Sequence, residues 1–159
     1  MAEGYRPGFP EVAVIGGLGT DIVAVARIAT LMRARGAVFL ERWFTAREIG
    51  YCSRKAVSAR HFAARFAAKE AVVKALPLAW DGPLPWRSIE IFNDPRGVPS
   101  ASLSGAILDA ASKAGVGDIM VSLSHCDEYA TAIALVAVTS DRAATAEPRL
   151  PAEGATSEP

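Results

Sequence analysis

The chain has 159 residues, of which 51% are hydrophobic and 21% charged, a composition that is typical of a single folded domain and excludes a wholly disordered chain. Seventeen Lys and Arg residues balance seventeen Asp and Glu residues, so no overall field favours nucleic acid or an anionic membrane, and we expect neither as a partner. The apolar stretch 12–32 is interrupted by glycines, Asp21 and Arg27 before it reaches the length of a membrane span.

The two cysteines, Cys52 and Cys126, belong neither to a C-x-x-C pair nor to a histidine cluster with metal-ligand spacing. We therefore expect two reduced, packed thiols rather than a disulfide or a zinc site. No secretory signal is recognisable at the start of the sequence, so we expect a cytoplasmic protein.

Composition divides the chain into three parts. Residues 1–10 contain two glycines and two prolines without any hydrophobic period, which predicts a flexible N-terminal extension. Residues 139–159 are dominated by Ala, Thr, Pro, Glu and Ser, which predicts a disordered tail. The folded domain is expected over residues 11–138.

The first half of that domain reads as one long strand followed by helices. The predicted elements are a strand over 11–15 that continues through the glycines to residue 23, a helix over 24–35 that stops at Gly36, short helices over 38–44 and 46–52, the second capped by Thr45, and a long helix that is capped by Ser58 and ends before Pro77.

The second half reads mainly as strands. After the Pro-rich loop 77–85, the predicted elements are a strand over 89–92, a turn over 93–97, a strand over 101–103, a helix over 104–114 that is followed by Gly115, and a hairpin of strands 119–125 and 129–138. The whole pattern predicts an α+β domain in which helices pack on a small, mainly antiparallel sheet.

The long predicted helix carries an acid where an apolar side chain is expected. Glu70 lies one turn after Phe66, on the face that should pack inward, and a buried carboxylate needs a cation or hydrogen-bond donors. Lys74, one turn further on, is the local candidate. Arg65, Lys69 and Lys74 make the same helix basic, which indicates either a polyanion site or a solvated face.

A second acid, Asp21, ends the Gly-rich strand, where missing side chains let other backbone or a ligand approach closely. Carboxylate oxygens from Asp21 and Glu70 suit Mg²⁺ better than zinc, because Mg²⁺ keeps several waters and is completed by substrate phosphates. The alternative stays open: Asp21 caps the following helix, and Glu70 pairs with Lys74 or Arg65. The sequence has neither a G-x-G-x-x-G fingerprint nor a P-loop.

One of the two histidines, His125, ends a predicted strand. Ser124 and His125 should point to opposite faces of that strand, which argues against a hydrolytic pair. His125 is open as a phosphate ligand, an acid or base, or a structural histidine, and we interpret His61 as a packing or surface residue.

A series of short segments carries a resemblance to a known family. The segments are Gly-Thr-Asp-Ile-Val (19–23), Arg-Ile (27–28), Phe-Thr (44–45), Glu48, Tyr-Cys (51–52), Arg-Phe-Ala-Ala-Lys-Glu-Ala (65–71), Lys-Ala (74–75), Trp86, Ile-Glu (89–90) and Ser-Leu-Ser-His (122–125). In order and separation, from about Val14 to Val138, they resemble holo-acyl-carrier-protein synthase, a family of the 4′-phosphopantetheinyl transferases.

The resemblance implies a transferase that moves 4′-phosphopantetheine from coenzyme A to a serine of an acyl carrier protein of fatty-acid or polyketide synthesis, with Mg²⁺ as cofactor and adenosine 3′,5′-bisphosphate as product. Asp21 and Glu70 match the family's metal-binding acids. Lys74 matches a lysine that contacts phosphate and protonates the departing group, and Arg65 and His125 match positions that hold coenzyme A phosphates. The base for the carrier serine stays open between Glu70 and a metal-bound water.

The resemblance also implies a landing site for an acidic carrier protein and a homotrimer with active sites between neighbouring subunits. Arg27 matches a carrier-contacting arginine, and Arg33 and Arg35 extend the same basic patch.

The sequence departs from the family after the Lys-Ala element. Residues 77–82 replace a Gly-Thr-Gly loop, and Cys126 and Asp127 change the turn after the histidine, so we expect altered or weaker coenzyme A binding. Two other functions remain open on this basis. One is a non-catalytic trimeric carrier-binding module, and the other is a metal-dependent pyrophosphate hydrolase.

Overall fold

The computed structural model describes residues 13–139, in which helices pack on a five-stranded antiparallel sheet of order β1-β5-β4-β3-β2. The elements are β1 (Ala13–Ala24), α1 (Val25–Trp43), α2 (Ala46–Ser53), α3 (Ser58–Ala75), β2 (Ile89–Asn93), β3 (Pro99–Leu103), α4 (Gly105–Lys113), β4 (Val116–His125) and β5 (Tyr129–Thr139), with a single 3₁₀ turn (Trp86–Ser88) before β2. The predicted α+β class is confirmed. The predicted extension 1–10, the start of the domain at residue 11 and the tail beyond Thr139 lie outside the described residues.

Helix α3 lies against β1 without intervening side chains. A Cβ atom added at Gly17 would overlap the carbonyl oxygen of Ala75, and one at Gly19 would overlap that of Ala71. The prediction that these glycines admit close backbone is therefore correct, and the backbone is that of α3. Asp21 follows two residues after Gly19 on β1, so this contact brings it level with the C-terminal half of α3.

Helix α1 is longer than predicted because it resumes after its kink. Gly36 has φ 51° and ψ −131°, which breaks the helix where the sequence predicts a stop, and the next helical turns continue to Trp43. The predicted helices 24–35 and 38–44 are thus two arms of one bent element.

Of the two N-cap residues predicted for α2 and α3, one is correct and one is wrong. Thr45 caps α2 as predicted: its hydroxyl accepts from the Glu48 amide at 3.2 Å, and the Glu48 carboxylate accepts from the Thr45 amide at 2.7 Å, a complete capping box. Ser58 does not cap α3, since it is the first helical residue and the preceding Val57 makes no side-chain cap bond.

The face of the sheet away from α3 is apolar and open. Leu18 and Ile22 of β1 are each 66% exposed, Ile133 of β5 is 51% exposed and Met120 of β4 is 39% exposed. Leu18 and Met120 lie on either side of Leu135 of β5, with which both are paired. Among the helices described, none is long and apolar enough to cross a membrane.

Candidate active site

Asp21 and its backbone are held by contacts from two elements, α3 and β5. Lys74 Nζ of α3 lies 2.8 Å from Asp21 Oδ1 and donates to the Thr20 carbonyl at 3.0 Å. The Thr131 hydroxyl of β5 donates to the Asp21 carbonyl at 2.9 Å. Asp21 does not cap α1, whose N-cap is Ala24 without a side-chain bond. The structure therefore joins Asp21 and Lys74 across 53 residues of sequence.

Glu70 is half-buried beside this pair. Burial raises the pKa of its carboxyl above the usual range, and the charge of Asp21 raises it further, while Lys74 and Arg27 oppose the shift. No ion pair of Glu70 occurs within residues 13–139, so the predicted partners Lys74 and Arg65 are wrong: Lys74 pairs with Asp21, and Arg65 with Asn93.

The two carboxylates fit a magnesium ion better than a soft metal. In the described part of the chain, no group of three or more His, Cys, Asp or Glu side chains is arranged to hold a metal. Two oxygen ligands that repel each other are suited to Mg²⁺, which binds through one or two carboxylates, keeps waters and takes its remaining ligands from phosphates.

Arg65 opens onto a separate cavity of about 450 Å³. Its side chain is buried, its Nη2 atom donates to Asn93 Oδ1 at 2.9 Å, and its guanidinium lies 4.1 Å from the centre of the Tyr51 ring. Its buried Nε atom has no hydrogen-bond partner among residues 13–139. Arg47 and Arg54 also line this cavity, as do Glu48 and Asp94, so three guanidinium groups are available to an anion beside two carboxylates.

Lys69, like Arg65, is buried. The interpretation of the basic residues of α3 as a solvated face is therefore wrong for Arg65 and Lys69, and only Lys74 is partly exposed. Lys69 Nζ lies 2.8 Å from Glu48 Oε2 and donates to the carbonyls of Trp43 at 2.8 Å and Trp86 at 2.9 Å. Burial lowers the pKa of Lys69, and Glu48 opposes that shift. The sequence signal for this pair is weak, because Glu48 and Lys69 lie far apart in the sequence, on two different helices.

His125 lies at the exposed end of β4, against a residue that the sequence does not single out. Its ring is 5.0 Å from that of His61 on α3, centre to centre, at an interplanar angle of 76°. The His61 ring is also 6.2 Å from that of Tyr51, which contacts Arg65. Through the rings of His61 and Tyr51, His125 therefore lies on the same side of α3 as Arg65.

The predicted site residues consequently fall into two groups on different sides of α3. Lys74 follows Arg65 by nine residues, about two and a half helical turns, which places the two side chains on opposite faces. Asp21, Glu70 and Lys74 form one group, which we call the acidic group. Arg65 and His125 form the other, which we call the Arg65 group. A single chain does not bring them into one pocket.

The predicted carrier-contacting arginines are divided too. Arg27 and Arg35 line a groove of about 300 Å³ whose floor is apolar, together with Arg42, which the sequence motifs do not single out. Arg33 does not line this groove and instead donates to the Thr30 hydroxyl at 3.1 Å. Arg42 lies beyond the predicted stop at Gly36, and the resumption of α1 after its kink brings it to the same groove as Arg35.

The two thiols differ from each other. Cys52 is buried, and burial raises its pKa to about 11. Cys126 is exposed, so its prediction as a packed thiol is wrong; its sulfur accepts from the Tyr129 amide at 3.4 Å.

The loop that departs from the family pattern is anchored on the core. Leu78 and Trp80 pack against the buried cluster, and Trp80 Nε1 donates to the Pro83 carbonyl at 3.3 Å. The loop begins three residues after Lys74, just beyond the C-terminal end of α3.

Known proteins match this chain over most of its length. The sequence model of the 4′-phosphopantetheinyl transferase superfamily matches residues 17–134. The holo-[acyl-carrier-protein] synthase of Geotalea daltonii is 42% identical over 120 residues, which cover 76% of this chain and 96% of that protein. That of Ruminiclostridium cellulolyticum is 44% identical over 122 residues, covering 76% and 91%.

Solved structures agree with the sequence relatives. The holo-[acyl-carrier-protein] synthase of Neisseria meningitidis has a TM-score of 0.70 and 30% identity, covering 77% of this chain and 98% of that one. The Helicobacter pylori synthase, solved in complex with coenzyme A, has a TM-score of 0.65 and 32% identity, covering 75% and 98%. The chain belongs to the 4′-phosphopantetheinyl transferase superfamily and, within it, to the holo-[acyl-carrier-protein] synthases.

Proposed function

We infer that this protein is a transferase that moves 4′-phosphopantetheine from coenzyme A to a serine hydroxyl of an apo acyl carrier protein. The serine oxygen forms a bond to the phosphorus of phosphopantetheine, the pyrophosphate bond breaks, and adenosine 3′,5′-bisphosphate leaves. The observation that carries this proposal is the Asp21–Lys74 ion pair beside Glu70, in a chain whose relatives are holo-[acyl-carrier-protein] synthases.

We propose that Asp21 and Glu70 hold Mg²⁺. When bound, the ion supplies positive charge to the pyrophosphate as its bond breaks. Glu70, whose pKa is raised by burial and by Asp21, is the protein group suited to accept the serine proton. Lys74, on α3, pairs with Asp21, and its side chain is half exposed. Its ammonium group is therefore suited to neutralise and protonate the leaving phosphate.

Arg65 and His125 are proposed to bind coenzyme A through its phosphates. The support is that Arg65 lines a cavity to which Arg47 and Arg54 add two more cations, and that His125 lies on the same side of α3. The second group of the site thus binds the donor, and the acidic group carries the chemistry.

The groove along α1 is the proposed landing site for the carrier. Arg27, Arg35 and Arg42 surround an apolar floor that includes Phe39 and Phe66. A helix with acidic residues around an apolar face is complementary to such a groove. Cytoplasmic location and a role in fatty-acid or polyketide synthesis are further parts of this proposal.

We propose a homotrimer whose active sites lie between subunits. Two features support it: the open apolar face around Leu18, Ile22, Ile133 and Met120, and the division of the site residues between opposite sides of α3. If neighbours pack through the apolar face, the acidic group of one chain can complete the Arg65 group of the next.

The first prediction tests the reaction and its acids. The protein, incubated with apo carrier, coenzyme A and Mg²⁺, should add one phosphopantetheine per carrier, measured by mass spectrometry. Glu70→Gln should lower the transfer rate at least about 100-fold without unfolding the chain, because both a ligand and a proton acceptor are lost. Calorimetric Mg²⁺ binding should weaken in the same variant, whereas Asp109→Asn, at an exposed acid on α4, should leave both unchanged.

Other outcomes identify the rivals. Carrier binding without transfer would indicate a carrier-binding module. Release of free phosphopantetheine in the absence of a carrier would indicate a hydrolase. Full activity of Glu70→Gln would remove Glu70 from the site.

A further inference from the structure

We propose that His61 is a positioning residue that fixes the imidazole of His125 for contact with a phosphate of coenzyme A. The proposal extends the proposed function, because it assumes that His125 binds the donor. It concerns a residue that the sequence motifs leave out, and it assigns to helix α3 a fourth contribution to the site, besides Arg65, Glu70 and Lys74.

The first argument is geometric. His125 is exposed at the end of β4, and no side chain among residues 13–139 hydrogen-bonds to its ring. The contact that places it is with His61, at 5.0 Å between ring centres and 76° between planes, an edge-to-face arrangement that aromatic rings prefer. His61 is in the first turns of α3, whose backbone is rigid, so an exposed ring is oriented by a fixed one.

The second argument is that the turn after His125 is tied to the same part of α3. Arg60 Nη2 lies 2.6 Å from Asp127 Oδ1. Within the turn, the Cys126 amide donates to the Tyr129 carbonyl at 2.8 Å. Two consecutive residues of α3 thus hold the end of β4 and the following turn, which limits the positions that His125 can take.

The third argument is electrostatic. Burial lowers the pKa of His61, and the positive charges around it act in the same direction, so His61 is mainly neutral at pH 7. A neutral His61 ring can pack edge to face against the His125 ring, whereas positive charge on both rings would make them repel at this distance. The groups that face His61 are Lys55 beyond α2, Tyr51 of α2, Arg60 and Arg65 of α3, and His125 of β4.

The ring contact can be tested without any enzyme assay. The chain has only two histidines, so proton NMR of the imidazoles follows both, and one substitution assigns them. We expect the pKa of His61 to lie below its ordinary value in the wild type and to rise in His125→Gln, which removes the contribution of His125 to that lowering. A titration of His61 that is identical in both proteins would overturn the proposal.

The positioning role is tested with coenzyme A. In His61→Ala the dissociation constant for coenzyme A and the KM should rise about fivefold, with kcat within about twofold of the wild type. His61→Phe, which keeps an aromatic ring, should restore most of the affinity, and its thermal unfolding should match that of His61→Ala or exceed it. Equal affinity in all three proteins, or a loss that Phe does not repair, would overturn the proposal.

The two proposals fail in different ways. If the wild type transfers nothing, the proposed function is wrong, while calorimetric binding of coenzyme A and the NMR titrations still decide the role of His61. If the wild type is active and His61→Ala binds coenzyme A normally, only the positioning role is wrong.

Discussion

At the scale of single residues, the most consequential finding is that Lys69 and Glu48 are fully buried and fully satisfied. Lys69 has three acceptors, and Glu48 accepts from the amides of Thr45 and Ile91 besides the ammonium. The network ties α3 to the ends of α1 and α2, to the turn before β2 and to β2 itself. It therefore supports both neighbours of Lys69 in the site, Arg65 and Glu70.

Removing one partner of this pair should be costly. Lys69→Met leaves the Glu48 carboxylate buried without its cation, and we expect a loss of about 3–5 kcal/mol in the free energy of unfolding, measured with urea. Glu48→Gln with Lys69→Met should cost less than the sum of the two single changes. The exposed Arg47–Glu90 pair is the control, with an expected loss of about 0–1 kcal/mol for Arg47→Met. Additive losses at Glu48 and Lys69 would contradict the coupling.

At the scale of elements, hydrophobic periodicity predicts the sheet and the helices well, because each strand alternates between a covered and an open face. It fails on α3, where Arg65 and Lys69 point inward. A periodic pattern assumes one polar face, but α3 is covered by the sheet on one side and by α1 and α2 on the other. The acids Asp21 and Glu70 could be predicted as candidates, whereas the Asp21–Lys74 pair depends on the contact between β1 and α3, which no local pattern specifies.

The bend in α1 leads to a prediction of its own. Arg42 lies in the groove only because the helix resumes after Gly36, and Arg33 points elsewhere. Arg42→Glu should therefore raise the KM for the carrier about tenfold and leave the affinity for coenzyme A unchanged, since a cation next to an acidic partner becomes an anion. Arg33→Glu, on the same helix with the same change in charge, should have a smaller effect. Equal effects would favour a diffuse basic patch over the groove.

At the scale of the whole molecule, the division of the site predicts complementation between chains. Arg65→Gln and Glu70→Gln should each be inactive, but trimers mixed from the two variants should recover about a quarter of the wild-type activity, because that share of sites combines two intact halves. Asp21→Asn mixed with Glu70→Gln is the control and should recover nothing, since both changes lie in the same half. Light scattering gives the mass of the assembly.

One outcome of the mixing experiment would contradict an active site shared between chains. If the mixture of Arg65→Gln and Glu70→Gln stays inactive while native mass spectrometry, with one variant isotope-labelled, shows mixed trimers, each chain forms its site alone. A monomer at working concentration would contradict the proposed role of the open apolar face.

The bare backbone at Gly17 and Gly19 has a further consequence for this enzyme's tolerance to change. Strand β1 and helix α3 lie this close because Gly17 and Gly19 have no Cβ atoms. Even an alanine side chain at either position would push the helix away from the strand. Asp21 lies on the strand and Lys74 on the helix. A shift of the helix by the width of one methyl group would therefore break their 2.8 Å ion pair. Substitution is therefore restricted at two positions whose missing side chains face the backbone of α3.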